Sequence, residues 1–190
     1  MFIETKLSEL ITKVIDYRGK TPKKLGADWS TNGIRALSAK NVKTGEIVNQ
    51  ESIRYVSEEL YKKWMKDEVA QGDILITSEA PFGEVYWWNS PEKIVLSQRL
   101  FAIRAKHEVI DPQYLYYYMT SREFQSELRN RATGTTVVGL RQPELLKCLV
   151  RVPPLNIQQK IASMLGSIDA KIQLNKSIND YLAQFNFSRQ

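Results

Sequence analysis

The apolar positions of this chain change period along its length, and the changes mark its elements. Between 157 and 185, Ile157, Ile161, Met164, Leu165, Ile168, Ile172, Ile178, Leu182 and Phe185 recur mostly at spacings of three and four. That spacing lays one apolar stripe along a long helix, with Gln, Lys, Asp and Asn on the other faces. The stripe also fits heptads. Ile161, Ile168, Asn175 and Leu182 share one position, and Met164, Ile178 and Phe185 share its partner position. A lone Asn in such a seam weakens pairing but selects one register and partner number. The pattern predicts a helix built to pair with another helix.

Upstream the runs are shorter. Leu7, Leu10, Ile11, Val14 and Ile15 predict a helix or helix–strand start. Residues 34–37 and 46–48 read as short strands around the turn signal KTGE. Ser57 opens a short helix with Glu59 in its first turns and Lys62, Lys63 and Lys66 near its end, which suits the helix dipole. Residues 73–77, 84–88 and 94–105 read as strands, with Asn89, Ser90 and Pro91 turning between the last two. Asp111 and Pro112 cap a helix that should run to Gly134. Residues 145–152 read as a closing strand, stopped by Pro153 and Pro154. Helices and strands mix without strict alternation, so the expected class is α+β: a globular domain with a mixed sheet, then the long helix. The expected boundaries are 1–152 for the domain and 153–190 for the helix.

Charge adds a direction. With 190 residues and 43% apolar content, the chain can build one core plus an extension. Its net charge of +6 favours an anionic partner, although charge alone leaves a merely basic protein equally open. Cys148 is the only cysteine and His107 the only histidine. An intrachain disulfide and a zinc site built from several Cys and His are therefore excluded, and a reducing compartment fits. No apolar run is long enough to span a membrane, and the first residues carry Glu4 and Glu9, unlike a secretory signal. Cytoplasm is the expected location.

Several stretches carry candidate chemistry, each with a plainer alternative. RGKTPKK places Arg18, Lys20, Lys23 and Lys24 in one loop, with Thr21 as a neutral donor. Such a cluster suits phosphate contacts, and it equally suits a solvated surface loop. Lys40, Asn41 and Lys43 follow a strand. Asn41 fits adenine readout in the major groove and fits a plain turn just as well. Thr133, Gly134, Thr135 and Thr136, flanked by Arg131 and Arg141, make a loop that lets backbone approach phosphate, while Gly134 alone reads as a helix C-cap. Phe82, Tyr86, Trp87 and Trp88 could wedge or stack on bases, but alternating aromatics on a strand are more often core. Tyr114, Tyr116, Tyr117 and Tyr118 read as packing. Enzyme signals are poor. VPPL at 152–155 lacks the polar residue and aromatic of an amino-methyltransferase loop, and neither GxGxxG nor GxxxxGK(S/T) occurs. Glu92 and Lys93 read as a turn charge pair rather than part of a nuclease centre.

The order of five segments carries a resemblance. RGKTP (18–22), IRALSAKNVKTGEIV (34–48), GDILITSEAPFGEV (72–85), ATGTTVVGLRQPELLKCLVRVPP (132–154) and PPLNIQQKIASMLGSIDAKI (153–172) resemble, in sequence order, the segments of type I restriction-modification specificity subunits. Ile157 stands where that family commonly has Glu, and residues 78–81 replace a more Gly-rich loop. The family usually carries two recognition domains and two helices. This chain has one of each, so it reads as a half-subunit, natural or truncated.

What the resemblance implies follows. The domain would recognise double-stranded DNA, and its candidate contacts are Arg18, Lys20, Thr21, Lys23, Lys24, Lys40, Asn41, Lys43, Arg131, Thr133, Thr135, Thr136 and Arg141. The helix would form a homodimer through Ile161, Met164, Leu165, Ile168, Ile172, Asn175, Ile178, Leu182 and Phe185. The chain itself would hold no cofactor or metal and perform no catalysis. Modification subunits using S-adenosylmethionine would methylate adenine N6, and restriction subunits using ATP would cut. Three other readings stay open: a standalone adenine methyltransferase, a protein-interaction adaptor, and a silent fragment stored for recombination.

Overall fold

A computed structural model of the chain describes residues 3–134 and 138–187. The chain begins with β1 (Ile3–Lys6), α1 (Leu7–Leu10) and β2 (Ile11–Asp16), then forms β3 (Ile34–Leu37), the hairpin β4 (Val42–Lys43) and β5 (Glu46–Ile47), and β6 (Arg54–Val56). Helix α2 (Glu58–Trp64) precedes β7 (Ile74–Thr77), β8 (Val85–Trp87), β9 (Ile94–Leu96) and β10 (Leu100–Ala105). Three helices, α3 (Pro112–Thr120), α4 (Arg122–Arg131) and α5 (Gln142–Leu146), lead to β11 (Leu149–Val152) and the long α6 (Leu155–Phe187).

The central sheet is antiparallel, in the order β2-β10-β7-β8. Every residue of β7 is buried, which requires cover on both faces. Strand alternation supplies it. Ile74, Ile76, Phe101 and Ile103 face a core shared with α1, α3 and α4, whereas Leu75, Leu100 and Ala102 face a second core with Leu37, Trp64 and Leu96. A smaller sheet, β6-β3-β9, closes the second core. β1 pairs antiparallel with β11, with Ile3 opposite Val152, so the chain's start is tied to the root of α6. This is the expected α+β class with a long C-terminal helix.

Three expected elements are subdivided. Residues 94–105 make two strands in different sheets, because the polar turn at 97–99 carries the chain from β9 beside β3 to β10 in the central sheet. The helix begun at Pro112 stops at Thr120. Ser121 is extended there, and its hydroxyl accepts from Phe124 N at 3.2 Å to start α4. That helix ends at Arg131 with extended Ala132, so Gly134, at φ 114, lies in the following loop and is not its cap. Residues 145–152 contain the end of α5 before β11 begins at Leu149. The aromatic strand is core as favoured: Trp88 is buried and Tyr86 and Trp87 pack against the two cores.

Helix α6 leaves the domain from a built root. Gln158 is buried; its Oε1 accepts from Asp111 N at 2.8 Å, and its Nε2 donates to Pro153 O at 2.8 Å and Val109 O at 3.3 Å. Ala162 and Ile161 join the first core. Farther along, Tyr117 donates to Asp169 Oδ2 at 2.8 Å, and Lys176 pairs with Glu46 on the β4–β5 hairpin. Burial, and then the bond to Asp169, push the Tyr117 phenol upward, so it stays a donor. Among the described residues no helix is long and apolar enough to cross a membrane.

Candidate nucleic-acid interface

The basic loop after β2 divides its cations between structure and surface. Arg18 is half-buried. Its Nε and one terminal nitrogen donate to the Asp16 carboxylate at 2.9 and 3.0 Å, and the other donates to Leu140 O at 3.2 Å. Its guanidinium also lies 3.9 Å from the centre of the buried Phe101 ring. Arg18 therefore staples this loop to the loop before α5. Lys20 donates to Trp64 O at 2.9 Å at the end of α2, over the Tyr17 ring. Thr21 accepts from Lys24 N at 3.3 Å, and Lys24 Nζ reaches Gly19 O at 2.7 Å. Lys23 is exposed and makes no side-chain hydrogen bond or ion pair among the described residues.

Asn41 resolves in favour of the turn. It is 1% exposed. Its Oδ1 accepts from Ser38 N at 3.1 Å and Ser38 Oγ at 2.9 Å, while its Nδ2 donates to Asn49 O at 3.2 Å and Ser52 Oγ at 3.0 Å. An amide engaged at both ends inside its own loop has nothing left for a base edge. Lys40, next to it, is exposed. Lys43 is exposed too, on the hairpin whose Glu46 pairs with Lys176 of α6.

Backbone hydrogen bonds join the remaining loops into one rim. Ala39 N donates to Gln98 O at 3.0 Å, and Ser78 N to Arg99 O at 2.8 Å. Leu140 N donates to Ser78 O at 2.9 Å, and Arg18 closes onto Leu140 O. Thr133 and Gly139 exchange backbone bonds at 2.9 Å. Two clefts open along this rim. One, of about 330 Å³, is lined by Arg18, Ser78, Glu79, Thr133, Gly139 and Arg141. The other, of about 160 Å³, is lined by Trp29, Lys40, Ser52, Arg54, Ser97 and Gln98.

The rim thus brings Arg18, Ala39, Ser78, Arg99, Thr133 and Leu140 together from loops far apart in sequence. It excludes Arg131. That side chain lies on α4 and bridges Glu127 at 2.7 Å and Glu144 at 3.8 Å, and its bond to Glu127 keeps it firmly protonated. Thr135 and Thr136 lie outside the described residues. The clefts and rim also hold Trp29, Arg54, Gln98 and Arg99, which the sequence reading did not single out. The available signal was the polar triplet interrupting the apolar run 94–105. Among the described residues no His, Cys, Asp and Glu cluster could hold a metal.

On α6, Ile161 and Leu165 are half-buried against the domain. Met164, Ile168, Ile172, Ile178 and Leu182 are 46–69% exposed, and Asn175 is exposed among them. Leu165, Ile168 and Ile172 also help line, with Asp169 and Lys176, a cleft of about 680 Å³ facing Tyr116 and Tyr117 of the domain. The described seam is therefore exposed on Met164, Ile178 and Leu182 and about half exposed on Ile168 and Ile172, which border that cleft. The side chain of Phe185 lies outside the described residues.

An α+β domain carrying a loop rim and an extended C-terminal helix defines the class. The family description "type I restriction modification DNA specificity domain" matches residues 3–184, and the chain belongs to that family. Its relatives include the MjaVIII specificity subunit of Methanocaldococcus jannaschii, 29% identical over 155 residues covering 79% of this chain and 36% of that protein. The MjaIX specificity subunit of the same organism is 30% identical over 68% of this chain and 29% of its own length. A solved type I restriction-modification S subunit from M. genitalium superposes with a TM-score of 0.64 at 14% identity, covering 93% of this chain and 41% of that one. The chain spans about a third of the length of the curated relatives it matches.

Proposed function

We propose that this chain is a sequence-recognition module of a type I restriction-modification complex. Residues 1–152 bind double-stranded DNA through the rim, and residues 153–190 pair with a second copy. Catalysis, with its S-adenosylmethionine and ATP, belongs to the modification and restriction subunits. The observation that carries this reading is the rim itself: loops far apart in sequence are hydrogen-bonded into one edge holding exposed Lys40 and Arg141. Phosphate contacts from such cations position a protein on the duplex, and base contacts then specify the sequence.

One rim reads one half-site. The exposed seam on α6 supplies the second rim by two-fold pairing, since an apolar stripe of this length marks an interaction site. Antiparallel helices place the two domains at opposite ends of the rod. The test is to co-purify the chain with the modification subunit and map methylated adenines. The expected target is a palindrome interrupted by unspecified bases. A contiguous asymmetric target, or methylation identical without this chain, overturns the reading.

A further inference from the structure

We propose that the turn at 97–99 is the base-reading ridge of this domain, with Gln98 and Arg99 as its sequence-determining side chains. This rests on the DNA-binding reading above and adds which residues select the target. The turn stands between the two clefts. Gln98 lines the cleft that holds Lys40, Arg54 and Trp29. Arg99 reaches Glu79 at 3.2 Å, on the wall of the cleft that holds Arg18 and Arg141. Each side of the ridge thus has an exposed cation, Lys40 with Arg54 on one side and Arg141 on the other, while Arg18 is held by Asp16 and Leu140 O. That arrangement suits a ridge in the major groove with phosphates on either flank.

The backbone of the turn is held from both sides. Ser97 N donates to Leu37 O at 2.8 Å, Gln98 O accepts from Ala39 N, and Arg99 O accepts from Ser78 N. Ser97 is buried, while Gln98 and Arg99 are exposed. A fixed backbone presenting two long polar side chains suits direct readout, because little backbone freedom is lost on binding. Arg99 has φ 63, in the left-handed region that glycine adopts at far less cost. The backbone there would be served better by Gly, so the side chain is the reason for an arginine. Strained non-glycine positions gather at functional sites. Glu79 holds the guanidinium in an exposed pair, which is weak enough to exchange for a base.

The chemistry names the bases. Arginine donates two parallel bonds to guanine O6 and N7, and glutamine pairs with adenine N6 and N7. The half-site should therefore contain a guanine and an adenine read by this turn.

The test incubates the full chain with a pool of randomised duplexes at low ionic strength and sequences the bound fraction. Arg99→Gly removes the guanidinium and relieves the backbone, so its thermal stability should be unchanged or raised. It should lose preference at one guanine position by about 10- to 100-fold while retaining the rest of the motif. Gln98→Ala should relax one adenine position. Arg99→Lys keeps the charge but not the fork, and should behave as Arg99→Gly does at that guanine. Lys40→Ala should lower yield on all sequences with the motif intact. If Arg99→Gly weakens all sequences equally, or leaves the motif unchanged, the ridge is not the reader. If the wild-type chain binds no duplex at any salt, the DNA-binding reading falls and this proposal with it.

Discussion

Gln158 shows what one buried amide does for the whole chain. It sits four residues past Pro154, joins Asp111 at the cap of α3 to the first turn of α6, and fixes the direction in which α6 leaves. Removing it strands a backbone N–H and two carbonyls. Gln158→Ala should cost about 2–3 kcal/mol, read as a lower urea midpoint with unchanged slope. Asn41 behaves similarly, and Asn41→Ala should cost about 1–3 kcal/mol by loosening the 38–52 loop. Both residues are polar letters in polar surroundings. Their sequence context identifies a turn or a helix start, but their partners lie up to 49 residues away, as with Val109 and Gln158. No local pattern encodes such partners. Arg18 is the same case: a cation that reads as a phosphate contact is held by Asp16, Phe101 and Leu140.

At the scale of elements, α6 was the most legible, since 33 residues repeat one period and two prolines mark its start. The aromatic strand, the Ser57 cap and the Asp111–Pro112 start were legible for the same local reasons. The breaks at Ser121 and at 97–99 were not, because each depends on which sheet or core the next segment must reach. The seam of α6 makes a sharper prediction. In a two-fold antiparallel pair, each heptad position faces its partner position. In the register centred on Gln173, which sets apolar against apolar along most of the seam, Ile168 meets Ile178 of the partner subunit, Met164 meets the partner's Leu182, and Lys171 meets the partner's Asn175. Exposed Ile172 and Leu174 each lie beside their own copy across the axis. Single variants Ile172→Cys and Leu174→Cys should therefore form disulfide dimers readily. Ile168→Cys and Ile178→Cys should do so only when mixed. Cys148 stays silent in these experiments, since it is fully buried and burial pushes its thiol up to about 12. Equal self-crosslinking at 168, 172 and 178 would indicate parallel helices. Ile168→Asp should abolish the dimer while leaving the domain folded, because an unpaired carboxylate in an apolar seam costs several kcal/mol, roughly.

The whole molecule couples charge to geometry. A helix of 33 residues at about 1.5 Å per residue is a rod of about 50 Å. One DNA turn between half-sites is about 34–36 Å, so two rims at the ends of paired rods fall within reach of successive turns on one duplex face. The net charge of +6 is doubled in a pair, and binding should weaken steeply with salt as lysines and arginines displace counterions. Which cations contribute is now separable. Lys23, Lys40 and Arg141 are exposed and without side-chain ion pairs among the described residues, so replacing all three with Ala should flatten the plot of log affinity against log salt by up to about 3 units per domain. Arg131→Ala should leave that slope unchanged and lower stability instead, since its charge answers Glu127 and Glu144. Pairing can be read from the same plot. On a duplex carrying both half-sites, the monomeric Ile168→Asp variant should show about half the wild-type slope, because each bound chain releases only its own counterions. A slope equal to that of wild type would mean that one chain makes all the phosphate contacts, and that the second rim plays no part in holding the duplex.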